Sequence, residues 1–206
     1  QNTFVGAAAG LTNSTGLNNT FIGRSSGRLN TTGATNTFLG HSSGYNNTTG
    51  ITNTFIGRNS GFANTTGSYN VMVGEGSGYN AAGGSNNIFI GWVAGFNNQG
   101  NNNTFTGNNS GYDNSTGFNN SFYGSNTGAN NSTGYLNTFI GYNTGSSVNT
   151  GYSNTLVGGM TGANLTTGFS NIFLGTNAGH LSTTASSNVF LGVQSGNNNV
   201  SGSNNT

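Results

Sequence analysis

The sequence predicts an all-β chain that folds as a parallel β-solenoid, or β-roll, of about twelve 17-residue coils. Three observations indicate this fold. A 17-residue repeat, with the sequence NTFIGRNSGFANTTGSY from Asn53 to Tyr69, recurs along the whole chain. Its third residue is Phe in ten of twelve copies, and glycine returns at the same places in each copy. A period this short is too small for a helix pair and fits one turn of a narrow β-roll, in which each repeat stacks on its neighbours.

The repeats cover residues 1–206 as a single array, and we number each coil from position 1, the Asn that opens it. Neither end carries an atypical capping repeat, so we expect these residues to be a segment of a longer repeat array. The coils open at Asn2, Asn19, Asn36, Asn53, Asn70, Asn87, Asn103, Asn120, Asn137, Asn154, Asn171 and Asn188, and a further copy begins at Asn205.

Positions 2 to 4 of each coil are predicted to form a short strand. Position 3 is the inward core column, from which only Met72 and Leu156 depart from Phe. Positions 2 and 4 are Thr, Val or Ile and Ile, Val or Leu in most coils, and they point to the opposite face because strand side chains alternate. That outer face is therefore expected to be covered by another chain, with Ile56, Ile90 and Ile140 at or near the contact.

The rest of each coil is predicted to consist of turns. Glycine at positions 5 and 9 indicates positive φ or a close backbone approach, and the small residue at position 8 is expected to point inward. The Asn-Thr-Thr-Gly segment forms the second turn, with Asn bonding its own backbone or stacking on the Asn of the next coil. The coil that opens at Asn87 has sixteen residues, because its second turn, FNNQGNN, is one residue short.

Composition excludes several classes of partner. Charged residues are 2% of the chain and the formal net charge is +1, so no surface could hold a nucleic-acid backbone or an anionic membrane. No apolar run is long enough to span a bilayer, and the first residues lack a signal-peptide pattern. If the protein is secreted, its signal is expected to lie outside this chain.

Composition also argues against catalysis. The two carboxylates, Glu75 and Asp113, lie in different coils and different columns, so they cannot readily form an acid and base pair. Calcium-binding solenoids need aspartate in every repeat, which these coils lack. We expect no enzyme activity, no cofactor and no metal site.

The segments NTFIG, SG and NTTG resemble the β-roll head repeats of trimeric autotransporter adhesins, and longer words of this kind occur in tail-fibre-like bacterial and phage proteins. The resemblance covers the whole chain, although this coil is longer and has Phe where the adhesin strand has a small residue. It implies a homotrimeric parallel β-roll used for attachment. It also implies an extracellular location: a cell-surface appendage, a secreted fibre or a virion fibre.

The leading functional hypothesis is a structural or adhesive fibre whose partners are copies of itself, as a trimer or polymer, and a cell-surface glycan or receptor. The alternative is an ice-binding solenoid, which needs a flat outward array of Thr. Replacement of the strand Thr by Val71, Ile88, Ile172 and Val189 counts against the alternative.

Two columns of aromatic residues stand outside the core pattern. They are either ladders that staple successive coils or chains together, or a stripe that stacks on sugar rings. The first column, at position 10, is Tyr45, Phe62, Tyr79, Phe96 and Tyr112, and the second, at position 16, is Phe118, Tyr135, Tyr152 and Phe169.

Position 6 concentrates most of the charge, as Arg24, His41, Arg58 and Glu75 in adjacent coils, followed by Trp92. This column is interpreted as a solvated edge, with an anion or receptor contact as the alternative.

N-glycosylation sequons recur almost once per coil, for example at Asn13, Asn30, Asn64 and Asn114. They either accept glycans or arise because Asn and Thr serve turns and ladders.

Overall fold

A computed structural model describes residues 1–206 as twelve three-residue strands without a helix. All twelve strands pair in parallel, in chain order, in one sheet, so the predicted β-solenoid is confirmed. The strands are β1 (Thr3–Val5), β2 (Thr20–Ile22), β3 (Thr37–Leu39), β4 (Thr54–Ile56), β5 (Val71–Val73), β6 (Ile88–Ile90), β7 (Thr104–Thr106), β8 (Ser121–Tyr123), β9 (Thr138–Ile140), β10 (Thr155–Val157), β11 (Ile172–Leu174) and β12 (Val189–Leu191). We number each coil by its strand.

Each residue lies directly over its equivalent in the next coil. Phe38 is paired with Phe55, seventeen residues on, and Phe89 is paired with Phe105, sixteen residues on. The missing residue of coil 6 is therefore absorbed in the turn between Asn98 and Asn103, and the strand register is unchanged.

The core is a column of stacked rings. The position 3 side chains from Phe21 to Phe173 are fully buried, including Met72 and Leu156. Neighbouring Phe rings in the column are 4.7 to 5.1 Å apart between centroids and nearly parallel, an arrangement typical of stacked aromatic pairs. Small residues at position 8 are buried and line the side of the core opposite the rings, as predicted. The Ser43 hydroxyl of this column donates to the Phe55 carbonyl of the next coil at 2.9 Å.

Most of the stacking between coils takes place outside the strands. Of 137 backbone hydrogen bonds, 22 lie within the strand ladder and 115 elsewhere. The Thr31 N–H donates to the Thr48 carbonyl and the Ser42 N–H to the Arg24 carbonyl, each at 2.9 Å and each between adjacent coils. The turns are therefore stacked in register as closely as the strands are.

An asparagine closes every coil, and it is buried from Asn19 to Asn188. The Asn36 Nδ2 donates to the Gly50 carbonyl at the end of its own coil at 2.8 Å. Its Oδ1 accepts from the backbone N–H of Asn53 in the next coil at 2.9 Å. Both bonds recur for every position 1 asparagine from Asn2 to Asn188. One carboxamide thus satisfies a buried carbonyl within its coil and joins that coil to the next.

A second asparagine ladder runs along position 12 and is interrupted. The Asn30 Nδ2 donates to the Gly33 carbonyl of its own turn at 2.9 Å and to the Asn13 Oδ1 of the preceding coil at 2.7 Å. The ladder breaks where this column holds Ala81 and, later, Val148. The buried Oδ1 atoms of Asn64 and Asn131, which lie just before these two breaks, have no hydrogen-bond partner.

Backbone strain is repeated in every coil. Positions 7 and 17 have positive φ, and 23 of these residues are not glycine. A left-handed conformation costs about 1 to 2 kcal/mol for residues other than Gly, and least for Asn or Asp, so Asn is the commonest residue at the two positions. Glycine is required at position 5, where φ is +130° at Gly57 and an added Cβ would lie 2.5 Å from the Gly74 carbonyl oxygen.

The core column generates a first prediction. Phe55→Ala should destabilise the protein by about 3 to 5 kcal/mol, because it leaves a ring-sized cavity between two stacked rings. Phe55→Leu should cost less than about 1.5 kcal/mol, since Leu156 fills the same position in coil 10. Chemical denaturation measures both changes, and equal stability of Phe55→Ala and the native chain would contradict the assignment of the core.

The interrupted ladder generates a second prediction. Ala81→Asn should stabilise the protein by about 1 kcal/mol, because its Nδ2 would supply the missing donor to Asn64 Oδ1 and its Oδ1 would accept from Asn98. Val148→Asn is the matched control. It would satisfy Asn131 but leave its own Oδ1 without a donor, because Leu165 follows in the column. Thermal denaturation should therefore show a gain for Ala81→Asn alone, and a loss at Ala81→Asn would show that the ladder is not stabilising.

Candidate interaction surfaces

The outer face of the strand ladder is open in the single chain. We call this face, formed by positions 2 and 4 of coils 1 to 12, the strand stripe. The position 4 side chains of Leu39, Ile90 and Ile140 are 44%, 41% and 42% exposed, and Ile56 is half-buried in the same column. The stripe therefore combines two columns that run the length of the solenoid. Position 4 is apolar except at Thr106, and position 2 is Thr or Ser in eight of the twelve coils.

The first aromatic column forms a stacked ladder on the outside of coils 3 to 7. The rings of Tyr45 and Phe62 are 5.2 Å apart, and the pairs that follow, up to Phe96 and Tyr112, are 4.9 to 5.1 Å apart. The guanidinium of Arg28 lies 5.7 Å from the centre of the Tyr45 ring, in a cation–π contact that covers the first ring of the ladder.

The second column forms a separate ladder in coils 7 to 10, starting at Phe118 in the coil that also holds Tyr112. Its three ring pairs, up to Tyr152 and Phe169, are each 5.0 Å apart and within 4° of parallel. In both ladders an interior ring has its two faces covered by its neighbours, so only ring edges face solvent. This geometry suits stapling of coils and leaves no interior ring face for a sugar.

The charged column is exposed and contains a single ion pair. Arg58 Nη1 lies 3.0 Å from Glu75 Oε1, with the two side chains 65% and 53% exposed. Exposed pairs of this kind contribute about 0 to 1 kcal/mol. Arg24 and His41 precede them on the same exposed edge. The column therefore has the geometry of a solvated edge rather than of an enclosed anion site.

Four of the sequon asparagines, Asn13, Asn30, Asn64 and Asn114, belong to the position 12 ladder. Asn30, Asn64 and Asn114 are fully buried, and each Nδ2 donates both to a carbonyl of its own turn and to the asparagine of the preceding coil. Asn13, in the first coil, is half-buried and donates to Gly16. The folded coil leaves no room for a glycan on the three buried nitrogens, so attachment would have to precede folding and would break the ladder.

Four exposed rings stand apart from both ladders: Tyr69 and Tyr123 lie singly at positions 17 and 4, and the other two share one column. Trp92 and Tyr142 occupy position 6 in coils 6 and 9 and are 57% and 64% exposed. Neither ring stacks on another aromatic, in contrast to every ring of the ladders. Sequence reasoning placed Trp92 at the end of the charged column and did not relate it to Tyr142, although the shared position was a signal that could have connected them.

The chain forms no helix of the length and hydrophobicity that a bilayer crossing requires. The structure thus defines a tandem-repeat β-solenoid whose outer surface carries the strand stripe, two stacked ladders and a short charged edge. Comparison of the chain with protein-family models, with curated proteins and with solved structures finds no match in any of the three.

Proposed function

We propose that the chain is a non-catalytic segment of an extracellular fibre, built by close parallel association of identical chains and used for attachment. The strand stripe is the observation that carries the proposal. Soluble monomers rarely expose a contiguous apolar patch of more than a few hundred Å². The strand stripe measures on the order of 500 Å², at the upper end of what monomers expose, and its regular repeat suits a partner of the same length and period.

The dimensions of the stripe suit a second copy of the chain. Eleven steps between parallel strands give a length of about 50 Å, and two side-chain columns give a width of roughly 10 Å. Two such faces together would bury on the order of 1,000 Å², near the lower limit of a specific protein interface. Association should therefore strengthen with the number of coils.

Charge does not oppose this association. The five charged side chains lie at positions 6, 10 and 11, so none is on the strand stripe. With so few charges, little electrostatic repulsion keeps the chains apart. Three chains is the number that the adhesin resemblance implies, and parallel chains would place equivalent coils side by side.

The strand stripe generates a third prediction. Ile56→Asp combined with Ile90→Asp should dissociate the assembly, because two buried carboxylates without partners would oppose contact between the stripes. Sedimentation velocity measures the change as a shift from oligomer to single chains, or as loss of soluble protein.

Asn59→Asp combined with Val93→Asp is the matched control. It adds the same two charges to the same two coils, at position 7, where φ is 56° and 48° and Asp is well tolerated. The control should stay associated. An intact oligomer of unchanged stability in the Ile variant would show that the stripe is not an interface, and a monomeric native chain would contradict the fibre itself.

Ice binding is the second candidate, favoured by the outward threonines at position 2, such as exposed Thr37 in β3. The column is irregular, because Val71, Ile88, Ser121, Ile172 and Val189 replace Thr. These substitutions suit a packed face better than a surface that orders water.

A fourth prediction separates the two candidates. A stripe covered by another chain cannot contact ice, so the associated protein should give no thermal hysteresis in a nanolitre osmometer and no faceting of ice crystals. Faceted crystals together with a monomeric native chain would favour ice binding and count against the fibre.

A further inference from the structure

The position 6 column provides a short exposed edge between Trp92 and Tyr142. Asn108 and Ser125 are the residues of this column in the two coils between them, and we call these four residues the aromatic shelf. Their backbones are held in register, because the carbonyls of Trp92, Asn108 and Ser125 accept from the next coil's N–H groups at 2.9 to 3.0 Å. Three strand steps place the two aromatic residues about 14 Å apart along the solenoid.

Side chains of this column project to the same side. The Arg58 and Glu75 side chains meet across adjacent coils, and the Asn108 Oδ1 accepts from the Trp92 N–H at 3.4 Å. The four side chains of the shelf therefore form one row on one edge of the solenoid.

The two rings of the shelf are exposed and stack on no other ring, and Trp92 lies between Glu75 and Asn108 in the column. Tyr142 has Ser125 on one side and Gly159 on the other, and a Cβ added at Gly159 would meet no atom within 4 Å. Its aromatic faces therefore border small residues and open space. In the ladders, by contrast, neighbouring rings occupy these faces at about 5 Å.

The aromatic shelf has two neutral polar side chains, Asn108 and Ser125, between the aromatic rings of Trp92 and Tyr142. No charged residue lies between Trp92 and Tyr142 in the column, and Glu75, which precedes Trp92, is paired with Arg58. Asp113 of coil 7 is half-buried and accepts from the Asn97 carboxamide at 2.8 Å. An amide and a hydroxyl with aromatic rings on either side match a ligand that has apolar faces and many neutral hydroxyl groups.

We propose that the aromatic shelf binds a neutral oligosaccharide, with sugar rings stacked on Trp92 and Tyr142 and hydroxyl groups bonded to Asn108 and Ser125. This inference rests on the proposed attachment function and names the ligand of that function. Contact with another copy of the chain is less suitable as an explanation. Fibre packing uses features that every coil repeats, whereas the exposed rings of the shelf occur in two coils only.

Trp92 is the only tryptophan of the chain, so its fluorescence reports directly on the shelf. Titration of the full chain with cellohexaose and with chitohexaose, up to about 1 mM, should give a saturable change in emission for at least one of them. Tyr142→Ala keeps this reporter and should bind about tenfold more weakly, the ratio that corresponds to about 1.4 kcal/mol. Tyr142→Phe retains the ring and should keep most of the affinity.

Tyr69→Asn is the matched control. It removes a ring that is 55% exposed at position 17, where the next coil has Asn86 in the same left-handed conformation. Its affinity should equal that of the native chain. Absence of any saturable change with both probes, or equal affinity of Tyr142→Ala and the native chain, would overturn the shelf as a sugar site.

Sedimentation of the same samples separates the shelf from the fibre. If native chains associate but bind neither probe, the shelf proposal fails and the fibre stands. If native chains bind sugar but remain single, the fibre fails and the shelf stands. If Tyr142→Ala dissociates the chains, the shelf is a contact between chains and the sugar proposal is overturned.

Discussion

Every coil of this solenoid is closed by the carboxamide of the asparagine that opens it. That side chain lies in the interior, where an unpaired amide would be costly. It is satisfied because its own coil offers a carbonyl near its end, from Ala185 in coil 11 and from glycine in the others, and the next coil begins with a backbone N–H. The two bonds depend on each other. If the chain took a different path within the coil, the Nδ2 atom could not reach the carbonyl. If the next coil were shifted in register, the Oδ1 atom would have no donor.

The closed and registered coil explains the other regular features. Once each residue lies over its equivalent, the Phe rings are held at one strand spacing, the position 12 carboxamides meet head to tail, and even the turns bond to one another. The same requirement imposes left-handed residues at positions 7 and 17 in every coil. Repetition of Asn at positions 7 and 17 and in the two asparagine ladders, at positions 1 and 12, accounts for most of the asparagine in the chain.

Register also decides what the surface can do. A column of aromatic residues in adjacent coils stacks on itself, so its interior rings have both faces covered and present only their edges to solvent. Trp92 and Tyr142 have no aromatic neighbour in their column and stay more than half exposed. In a molecule with so few charges, exposed apolar side chains are the main groups available for binding, and the two proposals place them at the strand stripe and at the aromatic shelf.

The period, the parallel strands, the Phe column at positions such as Phe55 and the small residues at position 8 can all be predicted from the repeat, because stacking and strand alternation follow directly from a repeated sequence. The sequence also placed the aromatic columns in register, although not the orientation of their rings. Only the tertiary structure decided that Asn36 and Asn64 face inward, that Asn59 and Tyr69 adopt positive φ, and that the strand stripe is open in one chain. The period defines the direction in which coils stack, whereas the path of the chain within a coil decides which side of a turn faces the core. That path depends on hydrogen bonds between residues that are far apart within one repeat, such as positions 1 and 15. A local sequence pattern does not reveal such bonds.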